Sequence, residues 1–331
     1  MQILKKLSLL ISFITVFSFM TTAQAEIKVA TSIKPVHSLV SLVMDGVGKP
    51  GLIVIGNDSP HTFQFKPANA KMIQDADIIF WIGKDLETFL EKPLKTIGQK
   101  AKITTFLESK EIKKLKYREN NIFEDEEHDD HDDHGKKKDA HGHDDHGKKK
   151  DAHSKKDEHD SDGHGEFDAH IWTDPANAKI MVEIITKQLS ELDSKNKSIY
   201  ESNGRKTLAE LDALMKDISK DTNKKASFIV FHDAYQYFEK RFEVKTAGAL
   251  SINPEVLPGA KQLASIREEI KTKKVNCIFS EPQFNPGISK AIAQDTGIKI
   301  FVMDPLGANL NDGKELYFKL IKNISASINK C

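Results

Sequence analysis

The chain has 331 residues, of which 39% are apolar and 30% are charged, and its 49 basic residues balance its 49 acidic ones. This length predicts about two domains with ample room for a core. The zero net charge argues against nucleic acid as a partner, because the chain provides no overall positive field. The balance conceals one local asymmetry, since residues 124–166 hold 17 acidic residues, eight lysines and nine of the 13 histidines.

The first 25 residues have the composition of a cleaved signal peptide. Two lysines precede the apolar stretch Leu7–Met20, and Ala23-Gln24-Ala25 forms a small-x-small cleavage site. The apolar stretch is shorter than the roughly 20 residues that span a membrane, and the alternative is an uncleaved N-terminal anchor. No cysteine to which a lipid anchor could be attached lies near the cleavage site. We therefore expect a soluble periplasmic chain that begins at Glu26.

Short β-rich runs alternate with helical patterns after the signal peptide. The predicted strands are Ile27–Ala30, Leu52–Ile55, Ile78–Ile82 and Ile103–Phe106, and the predicted helices are Val36–Met44, Pro67–Ala76 and Leu86–Ile97. This alternation predicts βα units on a mainly parallel sheet. We assign residues 26–174 to an N-terminal lobe.

The segment 124–166 is of low complexity and interrupts this lobe. It contains only two apolar residues, and residues 131–141 are repeated unchanged at 143–153. Such a segment buries too little surface to offset the entropy of ordering, so we predict a disordered loop. Its closely spaced histidines and acidic residues favour weak binding of several divalent ions, whereas the alternative is a solvated charge run. The histidines concerned are His128, His131, His134, His141, His143, His146, His153, His159 and His164.

A long helical pattern over residues 175–221 follows the charged segment. Asp174 is a good N-cap and Pro175 suits the first turn, while Gly204 makes a break possible. We predict one long, rigid linking helix. Alternation then resumes in a C-terminal lobe over 222–331. Its predicted strands are Ser227–Phe231, Thr246–Leu250, Val275–Ser280 and Ile298–Met303, and its predicted helices are Ala234–Phe242, Ala260–Thr272, Pro286–Thr296 and Gly313–Ser327. The fold class is therefore α/β, with two lobes.

The chain contains two cysteines, Cys277 and Cys331, and both belong to the exported part. An even pair in an oxidising compartment predicts a disulfide, and two unpaired structural thiols are the alternative.

Four histidines lie outside the charged segment. His37 falls inside a predicted helix and is interpreted as structural, whereas His61, His170 and His232 lie at or near ends of predicted elements. Two carboxylates, Glu281 and Asp304, directly follow predicted strands. Ligands in open α/β sheets bind beyond the carboxyl ends of strands, so a cleft between the lobes would bring these side chains together. Three imidazoles with one carboxylate or water suit zinc.

The sequence resembles the ZnuA family, the zinc-binding proteins of bacterial zinc ABC uptake systems within the metal-binding cluster of solute-binding proteins. The resemblance covers nearly the whole exported chain. It is carried by ATSIKPV, SPHTFQFKP, HIWTDP, FHDAYQYFE, NPEVLPGA, SEPQF and MDPLG in this order, together with the histidine-rich insert and the paired cysteines.

This resemblance implies two lobes, a rigid linking helix and one metal ion in the cleft. By motif, it makes His61, His170 and His232 the zinc ligands and Asp304 the nearby carboxylate. Many zinc-binding relatives have glutamate before the first histidine, whereas this chain has Pro60. The fourth position is thus left to Asp304 or water, with Glu281 as a candidate for the surrounding shell.

The resemblance further implies a monomer that delivers Zn²⁺ to an inner-membrane ABC permease with its cytoplasmic ATPase, and not an enzyme. The alternatives are an extracytoplasmic metal buffer or adhesin and, less favoured, a zinc hydrolase. The hydrolase would need a general base beside an open metal position. HExxH and GxSxG motifs are absent from the sequence.

Overall fold

The computed structural model describes residues 26–123, 165–254, 256 and 258–331. The predicted signal peptide and the predicted metal-binding histidines of the charged segment lie outside these described residues. Among the described residues, no helix combines the length and the apolar character that a membrane span requires.

The first lobe is built on a four-stranded parallel sheet of order β2-β1-β3-β4. Its strands are β1 (Val29–Thr31), β2 (Gly51–Leu52), β3 (Ile78–Trp81) and β4 (Lys102–Thr105), and its helices are α1 (Lys34–Val43), α2 (Pro67–Asp75) and α3 (Thr88–Thr96). All four residues of β3 are buried, as expected for a parallel strand covered on both faces. Proline in the first turn of α1 and α2 fits a position whose N–H has no partner within the helix.

The linking segment contains two helices, α4 (Pro175–Leu192) and α5 (Lys197–Asp221), separated by a 3₁₀ turn at Ser194–Asn196. The prediction of one continuous helix over 175–221 is therefore wrong in this detail. Asp174 caps α4 as predicted, because its side chain accepts a hydrogen bond from the N–H of Ala176 at 2.8 Å.

The two linking helices pack against each other in antiparallel directions, and an ion pair joins Lys179 of α4 to Asp212 of α5. Gly204, where the sequence allows a break, lies inside α5. A Cβ atom there would lie 2.4 Å from Oγ1 of Thr186, so glycine permits the close approach of the helices.

The second lobe repeats the topology of the first, with a parallel sheet of order β6-β5-β7-β8. Its strands are β5 (Phe228–His232), β6 (Gly248–Ser251), β7 (Cys277–Ser280) and β8 (Lys299–Val302), and its helices are α6 (Gln236–Phe242), α7 (Ala260–Thr272), α8 (Gly287–Thr296) and α9 (Leu316–Ile328). The predicted fold class, with two parallel α/β lobes and a long helix between them, is confirmed.

The long helix α5 has 25 residues and contacts elements of both lobes. Near one end, Asn203 donates to the carbonyl of Val43 at the end of α1, at 3.0 Å. Just beyond its other end, the hydroxyls of Thr222 and Ser325 are 2.6 Å apart. Most of the described core is one cluster that continues from the first lobe through both linking helices to one face of the second sheet.

The chain passes from the first lobe to the second immediately before the charged segment. Residues 121–123 lie antiparallel to the edge strand β6, where Ile122 bridges to Gly248 and Phe123 donates its N–H to Ala247 at 3.1 Å. The returning chain bridges Phe167 to Lys116. The chain before the charged segment is therefore attached to the second lobe, and the chain after it is attached to Lys116.

Cys277 and Cys331 form the predicted disulfide, with their Cα atoms 5.8 Å apart and a sequence separation of 54. The bond ties the residue that begins β7 to the chain that follows α9.

Candidate metal centre

Three histidines that are far apart in the sequence meet between the lobes. His61 lies on the loop after β2, His170 precedes a 3₁₀ turn at Ile171–Thr173, and His232 is the last residue of β5. One ring nitrogen from each histidine lies within 4.8 Å of the others. The structure therefore gathers the three side chains that the sequence singles out.

The spacing of two of these rings suits tetrahedral zinc. Zn–N bonds of about 2.0–2.1 Å give ligand nitrogens about 3.3–3.4 Å apart at the corners of a tetrahedron. The Nε2 atoms of His170 and His232 are 3.3 Å apart. The two rings thus point their Nε2 atoms at a common position.

His170 is oriented by Asp168, which lies two residues earlier in the chain. One carboxylate oxygen of Asp168, Oδ1, lies 2.7 Å from Nδ1 of His170 and also accepts the backbone N–H of His170 at 2.9 Å. Asp168 itself is fully buried. A carboxylate on Nδ1 fixes the tautomer that leaves Nε2 available for a metal ion.

His232 has an equivalent partner in Glu281, the residue after β7. Its Nδ1 lies 2.8 Å from Oε1 of Glu281, and both residues are buried. Burial lowers the pKa of His232 to about 3, because an imidazolium ion loses its hydration there. The ring is therefore neutral at physiological pH, which is the state that binds a metal ion.

Burial raises the pKa of Glu281 well above its ordinary range, and repulsion from Asp304 adds to this effect. Its second oxygen, Oε2, is buried and accepts no well-formed hydrogen bond from the described residues. Glu281 also lines the cavity beside the histidines.

His61 reaches the cavity from a loop rather than from a strand. Its backbone N–H donates to Oγ of Ser59 at 3.3 Å, and its ring centroid lies 5.6 Å from those of His170 and His232. The side chain is half-buried, in contrast to the other two histidines.

Asp304 is not part of this histidine cluster. Its Oδ1 accepts hydrogen bonds from the amide of Gln283 at 2.8 Å and from the N–H groups of Leu306 and Gly307 at 2.9 and 3.0 Å. Its Oδ2 accepts the N–H of Ala308 at 2.6 Å. All four contacts belong to the second lobe, so Asp304 holds the turn that follows β8.

The walls of the cavity are largely apolar. They are formed by Ser59, Pro60, Trp172, Gln283, Phe284, Pro305 and Leu306 around the three histidines and Glu281. Apolar walls limit the access of water and strengthen electrostatic interactions inside.

His37 lies away from this site, in α1. Its Nε2 is 3.2 Å from the carbonyl oxygen of Pro50, as a structural histidine would be. Sequence reasoning did not single out Asp168, although an acidic residue two positions before a ligating histidine is a signal for an orienting carboxylate.

A family model described as ZnuA, zinc-uptake complex component A, periplasmic, matches residues 29–331. The chain is 43% identical over 333 residues to the high-affinity zinc uptake system protein ZnuA of Brucella abortus, covering 100% of this chain and 99% of the relative.

Two solved structures extend this comparison. The crystal structure of a ZnuA protein superposes with a TM-score of 0.70 at 23% identity and covers 92% of this chain and 98% of its own. A mutant of the laminin-binding adhesin Lmb from Streptococcus agalactiae superposes with a TM-score of 0.69 at 25% identity and covers 92% and 99%.

Proposed function

Because this chain belongs to the ZnuA family of periplasmic zinc-uptake components, we propose that His61, His170 and His232 bind one Zn²⁺ ion as cargo between the two lobes. The family makes the chain a zinc-binding protein of an ABC uptake system, and its location the periplasm. The observation that carries the ligand assignment is the convergence of three imidazoles within 4.8 Å.

The chemistry of these side chains supports zinc. Imidazole nitrogen is one of its preferred ligands, and a site with three protein ligands leaves a fourth position open. Asp168 and Glu281 act on His170 and His232 as hydrogen-bond acceptors that increase the basicity of the ligating nitrogens.

We assign the fourth position to water rather than to Asp304. Both oxygens of Asp304 already accept hydrogen bonds from the turn after β8, and Asp304 does not line the cavity. Glu281, in contrast to Asp304, lines the cavity.

The family also implies a permease and an ATPase as partners of the chain. The monomeric chain would carry the ion to the inner-membrane permease and release it there. Its role is capture and delivery and not catalysis, and the hydrolase and adhesin alternatives are not favoured. Export through the predicted signal peptide would place the chain on the periplasmic side.

The test is metal analysis and calorimetry on zinc-free protein. Wild type is expected to show one tight event, and the H61A, H170A and H232A variants are each expected to weaken it while remaining folded. H37A is the matched control, since it removes a histidine outside the cavity. Tight zinc binding that survives in all three ligand variants would contradict the proposal.

A further inference from the structure

Lys34 occupies a position that local propensity disfavours. It is the first residue of α1, where the helix dipole places partial positive charge that repels a lysine. Its side chain is nevertheless buried, with 6% of the residue exposed. A buried charge requires compensation by specific partners, so tertiary contacts must account for this lysine.

Those partners all belong to the segment after β8. The Nζ atom of Lys34 donates to the carbonyl oxygens of Gly307, Ala308 and Leu310 at 3.2, 2.9 and 2.9 Å. It also pairs with Oδ1 of Asp312 at 3.1 Å. Because an ammonium group has three donors, this environment satisfies it fully. A residue of the first lobe thereby holds a turn of the second lobe.

The same turn is held from its other side by Asp304. The N–H groups of Leu306, Gly307 and Ala308 donate to this carboxylate. Gly307 has φ of +71°, a conformation that favours glycine. The turn therefore donates its N–H groups to the carboxylate of Asp304, and its carbonyl oxygens accept from the ammonium group of Lys34.

The turn that Lys34 and Asp304 hold also forms part of the wall of the cavity. Pro305 and Leu306 line the cavity beside the three histidines. The carbonyl oxygen of Pro305 accepts a hydrogen bond from Nε1 of Trp172, a neighbouring wall residue, at 2.7 Å. A displacement of the turn would therefore open the cavity directly.

We propose that Lys34 is a positioning residue for metal retention: it holds the Pro305–Leu306 wall against the histidines and thereby slows release of the ion. Lys34 contacts no ligand side chain among its hydrogen-bond and ion-pair partners, so it acts through the turn. The inference rests on the proposed function, because it concerns retention of zinc at the same histidines.

The chain offers a matched control in Lys314. Its Nζ atom pairs with Asp45 at 2.7 Å, where Asp45 follows α1 and Lys314 precedes α9, and both side chains are about half exposed. Exposed pairs contribute little. K314M therefore removes one positive charge and one contact between the same two regions without touching the turn.

The experiment measures zinc dissociation from the full chain by rapid mixing with excess chromophoric chelator. K34M is expected to release zinc about 10-fold faster, the low end of the range for loss of a group bonded to a metal ligand, because Lys34 acts through the turn. K34Q, whose amide keeps two N–H donors, should fall between K34M and wild type, and K314M should stay within about twofold of wild type. The visible spectrum of the Co²⁺ form should change in K34M and not in K314M.

Circular dichroism and thermal melting separate this role from a merely structural one. Release at the wild-type rate from folded K34M and K34Q would overturn the inference, and so would equal acceleration in K34M and K314M. If K34M does not fold, the rate of zinc release from K34Q tests the inference in its place. Failure of the proposed function is a different result, in which H232A binds and releases zinc as wild type does.

Discussion

The two lobes have the same sheet topology but present their proposed metal ligands differently. In the second lobe, His232 is the last residue of β5, which pairs with β6 and β7 on its two sides. In the first lobe, His61 lies on a loop beyond the short strand β2. One proposed ligand is therefore positioned by a central strand and another by a loop.

The difference extends to the environment of each ring. His232 is 2% exposed and lies against Glu281, whereas His61 is half-buried and lines the cavity beside Pro60. A ligand on a central strand cannot move without disturbing the sheet. We therefore expect the second lobe to set the affinity for zinc more strongly than the first.

The largest expected effect comes from removing the strand ligand. H232A should lower the zinc affinity by more than about 100-fold, above the range for loss of an outer-shell partner, and H61A should lower it by a smaller factor. Competition with a chelator of known affinity measures both. Equal losses of zinc affinity in H232A and H61A would contradict the expectation that the second lobe contributes more to the affinity.

The second lobe is also the one that carries a covalent crosslink. Replacing both cysteines, Cys277 and Cys331, with serine should lower the free energy of unfolding by about 3–4 kcal/mol, because the unfolded chain is no longer restricted. Chemical denaturation without zinc measures this loss. Reduced wild type is the control and should match the double variant; unchanged stability in both would contradict the prediction.

The carboxyl groups beside the histidines allow a sharper test, because the first lobe supplies Asp168 and the second lobe supplies Glu281. E281Q and D168N should each weaken zinc binding by about 10–100-fold, since each replaces the carboxyl group that hydrogen-bonds Nδ1 of a proposed ligating imidazole with a weaker acceptor. D304N should have a smaller effect, because Asp304 supports the turn and not a histidine. A loss in D304N as large as in E281Q would favour Asp304 as a direct ligand.

The last expected effect is a difference in pH dependence, which is small near neutral pH and grows as the pH falls. The pKa of His232 is lowered by burial to about 3 in the folded protein, while an unfolded histidine titrates near 6.5. Between pH 6.5 and 3, His232 therefore binds a proton in the unfolded chain but not in the folded chain. Stability without zinc should fall as the pH drops from about 6.5 towards 3, by at most about 1.4 kcal/mol per pH unit for this group.

H232Q isolates this contribution. The difference in unfolding free energy between wild type and H232Q should vary over that pH range and stay constant above pH 7. Burial also lowers the pKa of His37 in the first lobe, so H37Q should change the profile in the same direction. Parallel profiles for wild type and H232Q would show that His232 titrates normally in the folded protein.

Local patterns were enough to predict most elements of the fold. The strand ending at His232 was predicted as Ser227–Phe231 and is observed as Phe228–His232, and α7 was predicted with its observed bounds. Alternation of short apolar runs and amphipathic stretches depends only on neighbouring residues, so it can be read directly from the sequence. The three cavity histidines were singled out by their positions at or near the ends of predicted elements, although among the three only His232 ends a strand in the structure.

The break at Ser194–Asn196 contains no proline or glycine, but Asp193, Ser194 and Asn196 are residues that favour turns. The side chain of Asn196 donates to that of Asp193 there, at 2.7 Å. Gly204, which does resemble a helix breaker, instead allows the two helices to pack closely. Tertiary contact thus overrides the local signal at Gly204.

The sequence by itself determined the two α/β lobes, the candidate ligands and the cysteine pair, since these depend on periodicity, residue chemistry and the compartment. Only the tertiary structure decided that Asp168 and Glu281 orient the histidines, that Asp304 holds a turn, and that Lys34 reaches across to it. These roles depend on which side chains meet after folding. Contacts between distant residues leave no local periodicity, because packing of whole elements brings them together.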